Sequence, residues 1–196
     1  IYDGPKWAND LDSILQGGRL HQSLRYAENH DEVRLASPKT WGGLGMEVGR
    51  PVTGLLFGLG RGPSMIYSGQ EVGEPAKGPE GFGGDDARTT IFDYWSMPTL
   101  NQWTNGGRFD GGGLSNEQKD LRRWYGTLLK ATAGPAFTKG EFYGLNHANQ
   151  GNPDFGRLEG EGASGHWVYA FLRSEQEKGG QTVLVVVNLH PTQDFV

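Results

Sequence analysis

The chain has 196 residues, 33 of them glycine and none cysteine, and its 18 basic and 23 acidic side chains leave a net charge of −5. Glycine runs at more than twice its roughly 7% average share, but its irregular spacing and only 10 prolines exclude collagen. The acidic balance argues against nucleic acid or an anionic membrane as partner, no apolar run nears the roughly 18 residues of a membrane span, and the missing cysteines exclude disulfides, thiolate chemistry and Cys-ligated zinc. Composition assigns no compartment.

Taken in chain order, Trp7, Leu11, Ile14 and Leu15 stand at i, i+4, i+7 and i+8 and predict a short amphipathic helix closed by Gly17-Gly18. Residues 24–28 read as a short strand with the polar exit Asn29-His30-Asp31. Residues 38–50 form a glycine-punctuated loop that holds Trp41. Pro51 is placed like the first residue of a helix, and residues 51–60 continue as a short packed helix that Gly62-Pro63 breaks. Residues 64–67 have the size and apolarity of a buried strand ending at Gly69-Gln70-Glu71. Residues 73–114 read as one long loop carrying Phe82, Phe92, Tyr94, Trp95, Trp103 and Phe109, and loops of that length in a compact domain are usually functional.

The clearest helix covers residues 115–133. Ser115 and Gln118 have the spacing of a capping box, and Leu121, Trp124, Tyr125, Leu128 and Leu129 make one apolar stripe, expected to pack on a sheet. Gly134-Pro135 ends it. Residues 136–196 carry strand signals only, and the polar run 174–180 joins two of these strands as an antiparallel hairpin. The expected organisation is therefore a βαβα region over 1–134 and an all-β region over 135–196, with no helix beyond residue 140.

Asn29-His30-Asp31 is the most informative cluster. A carboxylate beside an imidazole can accept hydrogen bonds from vicinal hydroxyls while the imidazole donates to one of them, which suits a sugar ring. The same three residues also suit a strand exit whose Asn and Asp side chains cap a turn. The five histidines show no i, i+4 pair, so no zinc site is expected. Gly58-x-Gly60-x-Gly62 follows a helical segment instead of opening one, which argues against a phosphate loop, and no G-x-S-x-G nucleophile motif occurs. Loop aromatics can stack on pyranose faces or plug gaps beneath a loop, and Trp41 is the best platform candidate.

Five segments together resemble the α-amylase family of glycoside hydrolases. ENHDEVR (28–34) is similar to the motif ending barrel strand seven, and GPSMIYSGQEVGE (62–74) to the strand-eight motif. DDARTTIFDYW (85–95) resembles the loop after strand eight, LRRWYGTLLK (121–130) the eighth barrel helix, and VYAFLR with VLVVVNLH the strands of the following β-sandwich. The resemblance implies an α/β fold, the C-terminal portion of a TIM (β/α)8 barrel over 1–134 followed by the start of an all-β sandwich domain over 135–196.

It further implies a retaining hydrolase of α-glucosidic bonds in starch or maltooligosaccharides. Asp31 is then the catalytic carboxylate that holds sugar hydroxyls and stabilises an oxocarbenium-like transition state. His30 binds the same sugar, Asn29 orients the turn, Arg34 contacts a neighbouring subsite or pairs with a carboxylate, and Trp41 offers a stacking face. Glu71, in the strand-eight motif, has a chiefly structural use. The family's nucleophile and acid/base come from strands four and five, and nothing in residues 1–27 resembles those motifs. The chain is thus expected to be a C-terminal piece of a longer enzyme, inactive alone, with the rest of its own barrel as partner. An α-glucan transglycosylase of the same family and a non-catalytic carbohydrate-binding relative are the alternatives. No cofactor is required by this sequence; calcium in the full enzyme is left open.

Overall fold

The computed structural model describes residues 21–78, 84–92, 97–160 and 167–195. The amphipathic run Trp7–Leu15 and the loop aromatics Phe82, Tyr94 and Trp95 lie outside them. In chain order the helices and strands are α1 (Gly49–Gly58), α2 (Pro98–Thr104), α3 (Asn116–Thr132), α4 (Pro135–Thr138), β1 (Glu141–Gly144), α5 (Leu145–Ala148), β2 (Val168–Ser174) and β3 (Thr182–Asn188). The protein is of mixed helix and strand, with a three-stranded antiparallel sheet in the order β1-β2-β3.

Two compact units emerge from the packing. One gathers the described residues of 1–25, 54–63 and 130–196, and the other those of 26–53 and 64–129. This division is interleaved along the chain. Helix α1 supplies residues to both units, changing over at Thr53-Gly54.

In the first unit β2 and β3 pair in the expected hairpin, with Val168 opposite Asn188 and Ser174 opposite Thr182. Strand β1 joins the other edge of β2, from Glu141 opposite Ser174 to Gly144 opposite Phe171. The period-2 alternation sends Tyr169 and Phe171 of β2 with Val187 and Leu189 into one core, where they meet Leu55 of α1 and Leu59 just beyond its end. The short helices α4 and α5 correct the expectation of strands alone after 136 and of no helix beyond 140. The reason for α5 is local. After Gly144, the buried Asn146 turns its carboxamide onto β2, donating to the Val168 carbonyl at 2.8 Å and accepting the Ala170 N–H at 2.8 Å. One side chain thereby replaces a stretch of ladder, and the backbone is free to coil.

In the second unit the capping box forms as expected. The Ser115 N–H donates to Gln118 Oε1 at 2.8 Å and the Gln118 N–H to Ser115 Oγ at 3.3 Å. Only Leu121 and Tyr125 of the α3 stripe are buried, and Leu129 is exposed. No sheet lies in this unit among the described residues. The Tyr125 hydroxyl instead meets Thr53 Oγ1 and Gln70 Nε2, each at 3.0 Å, and it would lie 3.2 Å from a Cβ placed on Gly49. Glycine at 49 is what lets α1 and α3 approach this closely.

Two expected strands shrink to isolated bridge residues, Arg25 and Ser64. The Arg25 N–H reaches the Pro63 carbonyl at 3.0 Å, but proline has no N–H with which to extend the pairing. The expected single loop over 73–114 is also interrupted, by α2 and by the 3₁₀ turn Asn105–Gly107. Buried Glu74 caps α2, its Oε2 accepting the N–H groups of Thr99 at 3.0 Å and Leu100 at 3.1 Å.

Candidate functional site

The polar turn after Glu28 lies wholly in the second unit. Asn29 Oδ1 accepts the backbone N–H of Asp31 at 2.7 Å and of Glu32 at 3.0 Å, an Asx turn made by the residue expected to orient it. The turn presents His30 and Asp31 side by side, with His30 Nε2 and Asp31 Oδ2 3.3 Å apart and their side chains 42% and 69% exposed. An imidazole N–H and a carboxylate thus share one accessible surface, the pairing that vicinal hydroxyls can bridge.

Arg34 behaves differently. It was expected either at a subsite or against a carboxylate, and the structure gives the second. Its side chain is fully buried. Nη1 donates to Glu28 Oε2 at 2.9 Å, Nη2 to the Ser68 carbonyl at 2.8 Å and to Thr89 Oγ1 at 2.7 Å, and Nε to the same hydroxyl at 3.1 Å. The guanidinium also lies 4.4 Å from the centre of the Tyr67 ring. Glu28 is equally enclosed, and its Oε1 accepts the Leu35 N–H at 2.6 Å. Burial pushes the Glu28 carboxyl upward, against the opposing pull of Arg34 and of the Leu35 N–H. With both oxygens engaged inside the unit, Glu28 is no acid for an external substrate.

Trp41 opens the 3₁₀ turn Trp41–Gly43, is half-buried, and takes φ +53 at the head of three consecutive left-handed residues. That conformation is unfavourable for a bulky side chain and easy for the two glycines that follow, so the glycines make the turn affordable.

Sequence reasoning passed over one neighbour of the pair. Ala87, buried at φ +65, has its carbonyl held by the Arg34 N–H at 2.8 Å, and the next residue is Arg88. Arg88 grips Asp86 Oδ2 through Nε at 3.0 Å and Nη2 at 2.6 Å. That hydrogen bond first, then the charges of Asp86, Asp31 and Glu32, hold its guanidinium above the usual value. On the same loop Asp85 is ion-paired with Lys39. The surface carrying His30 and Asp31 is therefore one of alternating charge. The only sequence signal for Arg88 was its place in the DDARTT segment.

An open cleft of about 480 Å³ in the same unit is lined by Pro38, Met46, Lys77, Pro98, Gln102 and Gln118, among others, and by neither His30 nor Asp31. Among the described residues no group of three His, Asp or Glu side chains could hold a metal ion, and no helix is long and apolar enough to cross a membrane. Comparison with protein-family models gives no match, and a search of curated proteins finds none.

Proposed function

We propose that this chain is part of a retaining α-glucan-active glycosidase of the α-amylase type, the C-terminal portion of a (β/α)8 barrel followed by the start of a β-sandwich. The observation that carries the reading is the exposed His30–Asp31 pair on its Asn29 turn, with the residue order of the strand-seven motif. In this role Asp31 accepts hydroxyls of the sugar at the cleavage point and stabilises the positive charge that develops at the anomeric carbon, His30 donates to the same sugar, and Trp41 offers a stacking face. Retention requires a nucleophile and an acid/base carboxyl about 5–5.5 Å apart, and no motif of this chain matches either. The chain taken alone therefore holds a glucan without cleaving it.

Calorimetric titration with maltotriose tests the reading. Binding that falls at least about tenfold in Asp31→Asn, with no release of reducing sugar from starch, is the expected result. Wild-type chain that binds no maltooligosaccharide, or binds it equally well without Asp31, overturns it.

A further inference from the structure

The ion pair beneath the Asn29 turn has no place in the chemistry just described. Glu28 and Arg34 stand at the two ends of a seven-residue loop whose middle carries His30 and Asp31, and both are at most 1% exposed. Each Glu28 oxygen takes a donor from the far end of the loop, one from the Arg34 guanidinium and one from the Leu35 N–H. The loop is thus closed at its base by Glu28 and at its tip by Asn29.

Arg34 ties that base to two segments distant in sequence, through the Ser68 carbonyl and the Thr89 hydroxyl. Its backbone N–H holds Ala87 in a left-handed conformation directly before Arg88. Stability alone is a poor explanation for such a pair, because well-packed apolar residues in its place are often neutral or stabilising. A charged fork differs from an apolar contact in direction: it fixes where each partner lies.

We propose that the Glu28–Arg34 pair is a positioning device that sets the placement of His30 and Asp31, with Thr89 as its third member. The inference rests on the glucan reading for what is positioned, and on the geometry alone for the positioning. A displacement near 1 Å at a reacting group can cost about a hundredfold in rate, so a locked base has a direct consequence for such a site.

The test uses the whole chain with Glu28→Gln and, because a buried charge change can prevent folding, Thr89→Val as a milder second variant. Two quantities are read in each folded protein: the amide order parameters of Asp31 and Glu32, and the affinity for maltotriose. Loosening of the turn from about 0.85 to below about 0.6, with α3 unchanged and affinity weakened about tenfold, is expected. Should Glu28→Gln fail to fold, Thr89→Val decides, with the same direction of change. A folded variant that melts earlier but keeps wild-type order parameters and affinity shows a purely structural pair and overturns the proposal. Asp31→Asn separates the two claims, since it weakens sugar binding while the order parameters stay as in the wild type. If the wild type binds no sugar, the glucan reading falls and the order parameters alone decide the clamp.

Discussion

Arg25 and Arg173 close the carboxyl end of helix α1 from two different segments, and neither uses a carboxylate. Arg25 donates to the carbonyls of Leu56 at 2.7 Å and Gly60 at 2.9 Å, and Arg173 to those of Leu59 at 2.9 Å, Phe137 at 2.8 Å and Gly140 at 2.8 Å. The last carbonyls of a helix have no intrahelical partner and carry partial negative charge, so a cation there is favoured twice, by hydrogen bonds and by the helix dipole. Burial, followed by the nearby charges of Arg61 and Arg25, lowers the Arg173 guanidinium to about 10, still cationic at neutral pH.

Replacing Arg173 by Met strands several buried carbonyls at once. The expected loss is about 3 kcal/mol or more of unfolding free energy in urea, with Arg173→Lys recovering only part because an ammonium cannot span carbonyls on both sides. A Met variant within 1 kcal/mol of wild type would show that water satisfies these groups equally well.

Two helical glycines should respond oppositely to alanine. A Cβ on Gly58 would lie 2.8 Å from Phe171 Cζ, whereas one on Gly126 meets nothing within 4 Å. Gly126→Ala gains about 0.5–1 kcal/mol from helix propensity, and Gly58→Ala loses about 1–2 kcal/mol because overpacking outweighs the same gain. Thermal melts of both variants check the sign.

The buried Tyr125 hydroxyl predicts a pH dependence of stability. Burial raises its pKa from 10.0 to about 12, with the hydrogen bonds from Thr53 and Gln70 opposing. The folded state keeps its proton where the unfolded chain has already released it, so this contribution is complete below pH 10 and is lost as pH rises from about 10 to about 12. Wild type should lose roughly 2–3 kcal/mol more than Tyr125→Phe across that window. Parallel stability curves for the two proteins would refute the assignment.

In a longer enzyme that contains this chain, Asp31→Asn should lower kcat by on the order of 10²–10³, on top of the roughly tenfold weakening of ground-state binding, because the carboxylate acts most strongly on charge that develops in the transition state. Retention of more than about half the wild-type kcat would remove Asp31 from the chemistry.

The elements legible in the sequence are those whose signals are local. The Ser115–Gln118 capping box marks the start of α3 within three residues, and the β2–β3 hairpin follows from alternation on either side of one polar turn. The Asn29 turn was equally legible, as one side chain reaching two residues along the chain. Arg34 was not, because its partner Thr89 is remote in sequence and nothing local distinguishes a buried arginine from one at a sugar subsite. The strand expected at residues 24–28 failed for a similar reason, since its neighbour's proline, and not its own residues, ended the pairing. Helix α5 depended on Asn146 finding β2 across a stretch of chain with no periodic signal.

The interleaving of the two units sets an order of events on the ribosome. Leu55 and Leu59 leave the exit tunnel long before Tyr169, Phe171 and Val187, the residues they are built to bury. At ordinary rates of synthesis the interval is on the order of ten seconds, during which these two leucines lack their partners. A nascent chain stalled after α3 would offer them to chaperones, and a gene cut at Gly134 would deliver two products that each lack part of one core.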